Sequence, residues 1–375
     1  VKIKKPALIS GILLISILSL IGIFRQEKTI PIGFIADFSA KSSNLGTLSR
    51  NGTLMAIDEI NSRGGLWGRK LELISKDNGS NINQSRLIVQ EFIDDNVILI
   101  IGPHLSRQAN VLMEESKGKD LLVISPVVST DNAVGIDDNF FRMNSSASDD
   151  GKTLASAVID REDKNIAILW SHTNLEYTDY VVQGLKSELK KNNVNILYEK
   201  EFSGKEDFAD IVDNLLQLDL DGIVISSISK DTASIVQLYA KNGELPHLYS
   251  CQWSMATDIL SFGGKTVEDM ILVGTYINFI PEPAEIEFEK KYHDLFATEP
   301  NFASVYAYET IMMFAEAVKQ AGRNWDIKEI KEEIIKIRKF DGVSGEVEID
   351  KYGDVKRKKS LYIIKNNAYE LYTQD

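Results

Sequence analysis

Hydroxyls in two successive loops are the residues best placed to do chemistry in this chain. Ser106 follows Gly102-Pro103-His104-Leu105, while Ser125 and Ser129 enclose Pro126-Val127-Val128. A serine in the first turn of a helix sits among backbone N–H groups that lack intrahelical partners, a combination suited to an anion. A single serine of this kind could equally be an ordinary helix or turn cap. Two such loops in consecutive units are a stronger sign. Other chemistries are poorly served. His104, His172, His247 and His293 share no spacing, and His247 with Cys251 makes at most half a zinc site. Gly263-Gly264-Lys265-Thr266 imitates the end of a phosphate loop, but Ile259 stands where the first glycine belongs, so a helix end and a turn are expected. No serine occupies a Gly-x-Ser-x-Gly elbow. The carboxylate pairs Asp94-Asp95, Asp137-Asp138 and Asp149-Asp150 are adjacent, do not share a face, and read as solvated turns or caps. What remains is a polar cleft without a reactive group, so neither an enzyme nor a cofactor is expected.

Two buried strands must hold those loops. Val97-Ile98-Leu99-Ile100-Ile101 is a continuous β-branched and leucine run, as in a parallel strand covered on both faces, and it stops at Gly102-Pro103. Leu121-Leu122-Val123-Ile124 repeats the device and ends in Ser125-Pro126. Ligands of open α/β sheets bind at the carboxyl ends of strands, where both hydroxyl loops would lie side by side. Before them come a strand over Ile30–Ile35, a helix over Thr47–Asn61 ended by Gly64-Gly65, a strand over Leu71–Ser75 and a helix over Ser85–Asp94. Repeated βαβ of this kind requires a parallel sheet with helices on both faces. After Phe141-Arg142-Met143 the rhythm restarts. Helices are expected over Asp149–Ile159, Tyr180–Leu189, from Phe208 to Leu215 and over Ala233–Tyr239, with strands at Ile166–Trp170, Asn195–Tyr198, Gly222–Ile225 and His247–Ser250. An apolar strand over Met270–Phe279, three helices (Glu285–Phe296, Ser304–Ala321, Ile327–Ile337) and short strands with turns at Gly342, Gly345 and Gly353 close the chain.

A chain of 375 residues suits two domains better than one core. Its net charge of −13 argues against nucleic acid or an anionic membrane surface as partner and leaves a small molecule. Lys2, Lys4 and Lys5 precede an apolar run from Ala7 to Phe24, which reads as an export signal or a membrane anchor with the rest of the chain outside the cytoplasm. Leu20-Ile21-Gly22-Ile23-Phe24 offers only one small residue to a signal peptidase, so retention as an anchor stays open. Cys251 is the only cysteine, which excludes an internal disulfide and a thiolate cluster.

Pro31-Ile32-Gly33-Phe34, Asn51-Gly52 with Ala56-Ile57-Asp58-Glu59-Ile60-Asn61, Gly64-Gly65, Gly68-Arg69-Lys70-Leu71-Glu72-Leu73, Ile101-Gly102-Pro103, Ile124-Ser125-Pro126, Phe141-Arg142 and Phe340-Asp341-Gly342-Val343-Ser344-Gly345 with Gly353-Asp354 occur in this order. In order and spacing they resemble the solute-binding proteins of branched-chain amino-acid ABC transporters, the type I periplasmic-binding-protein family. That resemblance implies an α/β fold of two Rossmann-like lobes with parallel sheets, joined by three crossovers and closing by a hinge. Lobe I is then expected over 29–145 with 276–354 and lobe II over 146–275 with 355–375, after a signal or anchor over 1–28. It implies extracytoplasmic capture of a small polar solute (an amino acid, an amide or a small carboxylate) in the cleft between lobes, and an ABC permease as partner.

The resemblance also assigns roles. Ser106 stands where the family binds a ligand carboxylate, Val127 where a backbone group contacts the ligand, and Ser129 where a threonine is usual. Leu45 falls on the first loop, at a ligand wall. The second lobe departs from the pattern, because Gln252, beside Trp253, occupies the place of the acid that meets a ligand ammonium. An amide cannot neutralise a cation, so an amino-acid ligand would need another acid, with Asp37, Glu176 and Asp179 as candidates. Tyr177 lies near a missing aromatic, and Ile228 at another position often aromatic. The expected ligand therefore carries a carboxylate or a similar planar acceptor and is not a standard α-amino acid. A sensor that signals through a partner is the alternative; a hydrolase on the same fold has no motif behind it.

Overall fold

The protein is described by a computed structural model covering residues 29–39, 43–255, 258–275, 283–343 and 345–373. The expected signal or anchor lies outside these residues. No helix among the described residues is long and apolar enough to cross a membrane.

The first sheet is wholly parallel, in the order β2-β1-β3-β4-β5, with β1 Ile30–Ala36, β2 Leu71–Asp77, β3 Leu99–Ile101, β4 Leu122–Ser125 and β5 Phe140–Arg142. Its helices are α1 Ser43–Ser62, α2 Ile82–Asp94 and α3 Ala109–Ser116. Side-chain alternation sorts the strands onto two cores: Leu99 and Ile101 join one buried cluster, and Ile100 the other. Val97 and Ile98 stay outside the strand because the Val97 N–H bonds to the Phe92 carbonyl (2.9 Å), completing the turn that ends α2.

The second sheet runs β15-β14-β10-β9-β8-β6-β7. Its parallel part comprises β6 Asn165–Ser171, β7 Asn195–Phe202, β8 Gly222–Ser226, β9 His247–Ser250 and β10 Ile271–Gly274; the antiparallel hairpin β14 Ser360–Lys365 and β15 Ala368–Leu371 extends its edge. In the first sheet the second strand flanks the first, followed by the third, fourth and fifth. The second sheet repeats that order from β6, so the restarted rhythm is a duplicated architecture. Its helices are α4 Ala147–Asp160, α5 Leu175–Lys191, α6 Phe208–Leu215, α7 Ser229–Ala240 and α8 Asp258–Gly263. Gly264–Val267 then forms a 3-10 turn, so the imitation phosphate loop is a helix end. Helix α5 begins earlier than its apolar stripe, which places Tyr177 in its first turn.

After β10 come α9 Pro283–Phe296, α10 Phe302–Ala321 and α11 Ile327–Ile337, then a small antiparallel sheet of β11 Lys339–Gly342, β12 Gly345–Ile349 and β13 Val355–Lys356. The chain thus passes between the two large sheets after β5, after β10 and after β13. The chain entering β13 is tied to the first sheet by a bridge between Arg142 and Asp354 and by their buried ion pair at 2.9 Å.

Helices α4 and α5 pack closely because each offers a glycine at the crossing. A Cβ on Gly151 would lie 1.9 Å from the Val181 carbonyl oxygen, and one on Gly184 2.1 Å from that of Ser148. This contact sets Asp150, on α4, against Tyr177, on α5. Asp150 is fully buried, which corrects its reading as a solvated cap.

Candidate functional site

A cleft with about 340 Å³ of free space, part of it open to solvent, lies at the carboxyl ends of the parallel strands, between the two sheets. From the first side it is lined by Leu45 of α1, by His104 and Ser106 after β3, and by Val127 and Ser129 after β4. From the second side come Asn174 and Tyr177 after β6, and Gln252 and Trp253 after β9. Asn144, on the first passage between the sheets, and Phe302, opening α10, complete the lining. The structure thus gathers every site residue expected from the sequence except Ile228, which is buried in the core and does not line the cavity.

The first wall offers one hydroxyl donor on a braced loop. Ser106 heads a 3-10 turn that runs into α3, and its Oγ accepts the Ser129 N–H (3.3 Å). Its hydroxyl proton is therefore available to a ligand acceptor. Ser129 is held differently: its hydroxyl donates to the Val127 carbonyl (3.2 Å) and accepts from Asn144 Nδ2 (2.9 Å), which also donates to that carbonyl (3.3 Å). Asn144 therefore locks the second loop. His104 is buried behind Ser106. Its Nδ1 must donate to the Ile35 carbonyl (3.0 Å), so Nε2 accepts from the Ser49 hydroxyl (2.6 Å). Burial pushes its pKa down to about 4 and leaves the ring neutral near pH 7.

The second wall is aromatic and amidic. The rings of Tyr177 and Trp253 meet edge to face with centroids 6.1 Å apart, and the buried thiol of Cys251 lies in the same core cluster. Asn174 Oδ1 accepts the Arg107 N–H (3.2 Å), a bond that joins the two sides of the cavity. The Tyr177 hydroxyl donates to Asp150 Oδ2 (2.8 Å), and burial raises its pKa well above the ordinary phenol range. Asp150 forms an ion pair with Lys359, the two side chains being 0% and 6% exposed. Lys359 also reaches Gln252 Oε1 (3.4 Å), while Gln252 Nε2 donates to Thr275 Oγ1 (2.9 Å).

No aspartate, glutamate, lysine or arginine lines the cavity among the described residues. The three acids weighed as partners for a ligand ammonium stay out of the lining: Asp37 accepts from the Ser39 N–H (3.0 Å) and the Ser80 hydroxyl (2.6 Å), Asp179 accepts from Gln183 (2.7 Å), and Glu176 lies elsewhere on α5. Asp150 and Lys359, bonded to Tyr177 and Gln252 of the wall, offset one another. His104, Asn144, Asn174, Phe302 and this ion pair escaped the sequence reading. Only His104 and Phe302 carried a local signal, one standing next to a recognised Gly-Pro turn and the other just before an apolar helix.

The family model described as periplasmic binding protein matches residues 29–366. A Leu/Ile/Val-binding protein homolog from Brucella suis is 25% identical over 367 residues, covering 94% of each chain. Among solved structures, the branched-chain amino acid transporter substrate binding protein of Streptococcus pneumoniae, in complex with isoleucine, superposes with a TM-score of 0.84 at 21% identity, covering 92% of this chain and 98% of that one. A solute binding protein of an ABC transporter from R. palustris, in complex with benzoate, gives 0.82 at 15% identity, covering 92% and 95%. By the match over most of its length, and with a parallel and a mixed sheet flanking the cleft, this chain belongs to the periplasmic binding protein family of solute-binding proteins.

Proposed function

We propose that this protein captures a small carboxylate that carries no ammonium group and delivers it, outside the cytoplasm, to an ABC importer. An aromatic acid of the benzoate class suits the walls best. The observation that carries this reading is a cavity with an available Ser106 hydroxyl and no charged lining residue. A carboxylate is matched by that hydroxyl without a counter-charge. An ammonium would enter without a carboxylate to meet it, and burying an unpaired charge is costly. Tyr177, Trp253 and Phe302 supply the faces for a planar ring. The relative that holds benzoate has the same fold, as does the one that holds isoleucine, so the fold does not choose between them. The lining does. The cavity binds without converting its ligand, and the apolar run over residues 7–24 supplies the export signal or anchor.

Calorimetry on the full chain with benzoate, leucine and valine tests the reading. Benzoate is expected to bind tightly and the two amino acids only weakly; tight binding of leucine or valine would overturn it. Ser106→Ala is expected to weaken benzoate by roughly 10- to 100-fold, the worth of about 1.5–3 kcal/mol for a hydrogen bond to a charged group.

A further inference from the structure

We infer that Lys359, through Asp150, determines whether the cavity accepts an anion or a cation; this rests on the proposed binding of an ammonium-free carboxylate. Tyr177 and Gln252 both face the ligand space, and both are bonded from behind to the same ion pair. An ammonium has donors only, so Lys359 fixes the amide of Gln252 with Oε1 towards itself and Nε2 towards Thr275 Oγ1. Asp150 stands one hydrogen bond from the cavity, through the Tyr177 hydroxyl. A carboxylate is thus already buried beside the ligand, and Lys359 is what cancels it. A ligand ammonium placed against Gln252 would meet a carbonyl already held by a cation.

The partners come from distant parts of the chain. Asp150 lies on α4, and Lys359 lies on the last passage between the sheets, immediately before β14. Exchange of either residue therefore changes the charge behind the wall and leaves every lining residue in place. Lys359 is a positioning residue in this account, since it acts through Asp150, Tyr177 and Gln252.

The test compares benzoate and leucine affinities by calorimetry on the full chain and reads their ratio. Lys359→Met, which leaves Asp150 free to pair with a ligand ammonium, is expected to shift the ratio at least tenfold towards leucine. Asp150→Asn, which leaves the cation alone, is expected to shift it several-fold towards benzoate. Lys359→Arg should keep the wild-type ratio, and the double variant Asp150→Asn/Lys359→Met should return close to it. Thermal unfolding identifies the variants that fold. If Lys359→Met does not, Asp150→Asn and the double variant carry the test, because the latter leaves no unpaired charge. A ratio that stays put in the folded single variants overturns the inference, as does a double variant that still favours leucine. Preference of the wild type for leucine would sink the proposed function instead, while the ratios would still judge the role of Lys359.

Discussion

Ser106 and His104 stand two positions apart and do opposite work. Ser106 lines the cleft and accepts the Ser129 N–H, while His104 turns both ring nitrogens inward and braces the loop against β1 and α1. Because the folded pKa of His104 is lowered to about 4 from an ordinary value of 6.5, the unfolded chain binds the extra proton first as pH falls. The stability from the neutral ring is full above pH 6.5 and is lost as pH falls to about 4, an effect of about 3 kcal/mol. Urea unfolding at pH 7.5 and pH 4.5 should therefore show a larger loss in the wild type than in His104→Leu; equal losses would remove His104 from the acid response. The hydroxyls of Ser106 and Ser129 could be read from the sequence because turn chemistry is local. The state of His104 could not, since both of its partners come from far along the chain.

Element boundaries were legible where burial is one-sided and less so where a tertiary contact extends a helix. The stripe from Tyr180 to Leu189 marks the buried face of α5, but its first turn is held by packing against α4. The glycines at that crossing carry no periodic signal, yet they decide how Asp150 and Tyr177 meet. Gly151→Ala would drive a methyl group into the Val181 carbonyl and is expected to cost about 1–3 kcal/mol in chemical unfolding, as overpacking does. It should also weaken ligand binding, because it moves the carboxylate behind Tyr177. Unchanged stability would mean that the two helices separate freely.

The duplicated order of the two sheets was legible as a restarted rhythm, and with it the place of the cavity at the strand ends. Contacts that close the molecule were not, because they join residues hundreds of positions apart. Arg142 and Asp354 are the clearest case: their side chains are 2% and 8% exposed, and Arg142 also donates to the Thr130 carbonyl (3.0 Å). Removal of one partner leaves a buried charge, so Arg142→Ala is expected to cost about 3–5 kcal/mol in urea unfolding. A loss under about 1 kcal/mol, the worth of an exposed pair, would show that the pair does not clamp the segment entering β13.

The uncharged lining carries a consequence for the medium in which such a protein would work. Salt weakens attraction between exposed charges over a Debye length of about 8–10 Å, but it does not reach dipoles and hydroxyls enclosed by protein. If the proposed carboxylate is held by the Ser106 hydroxyl, that bond would depend little on ionic strength. A capture protein facing surroundings of changing salinity would keep the same grip on its cargo in dilute and in briny water.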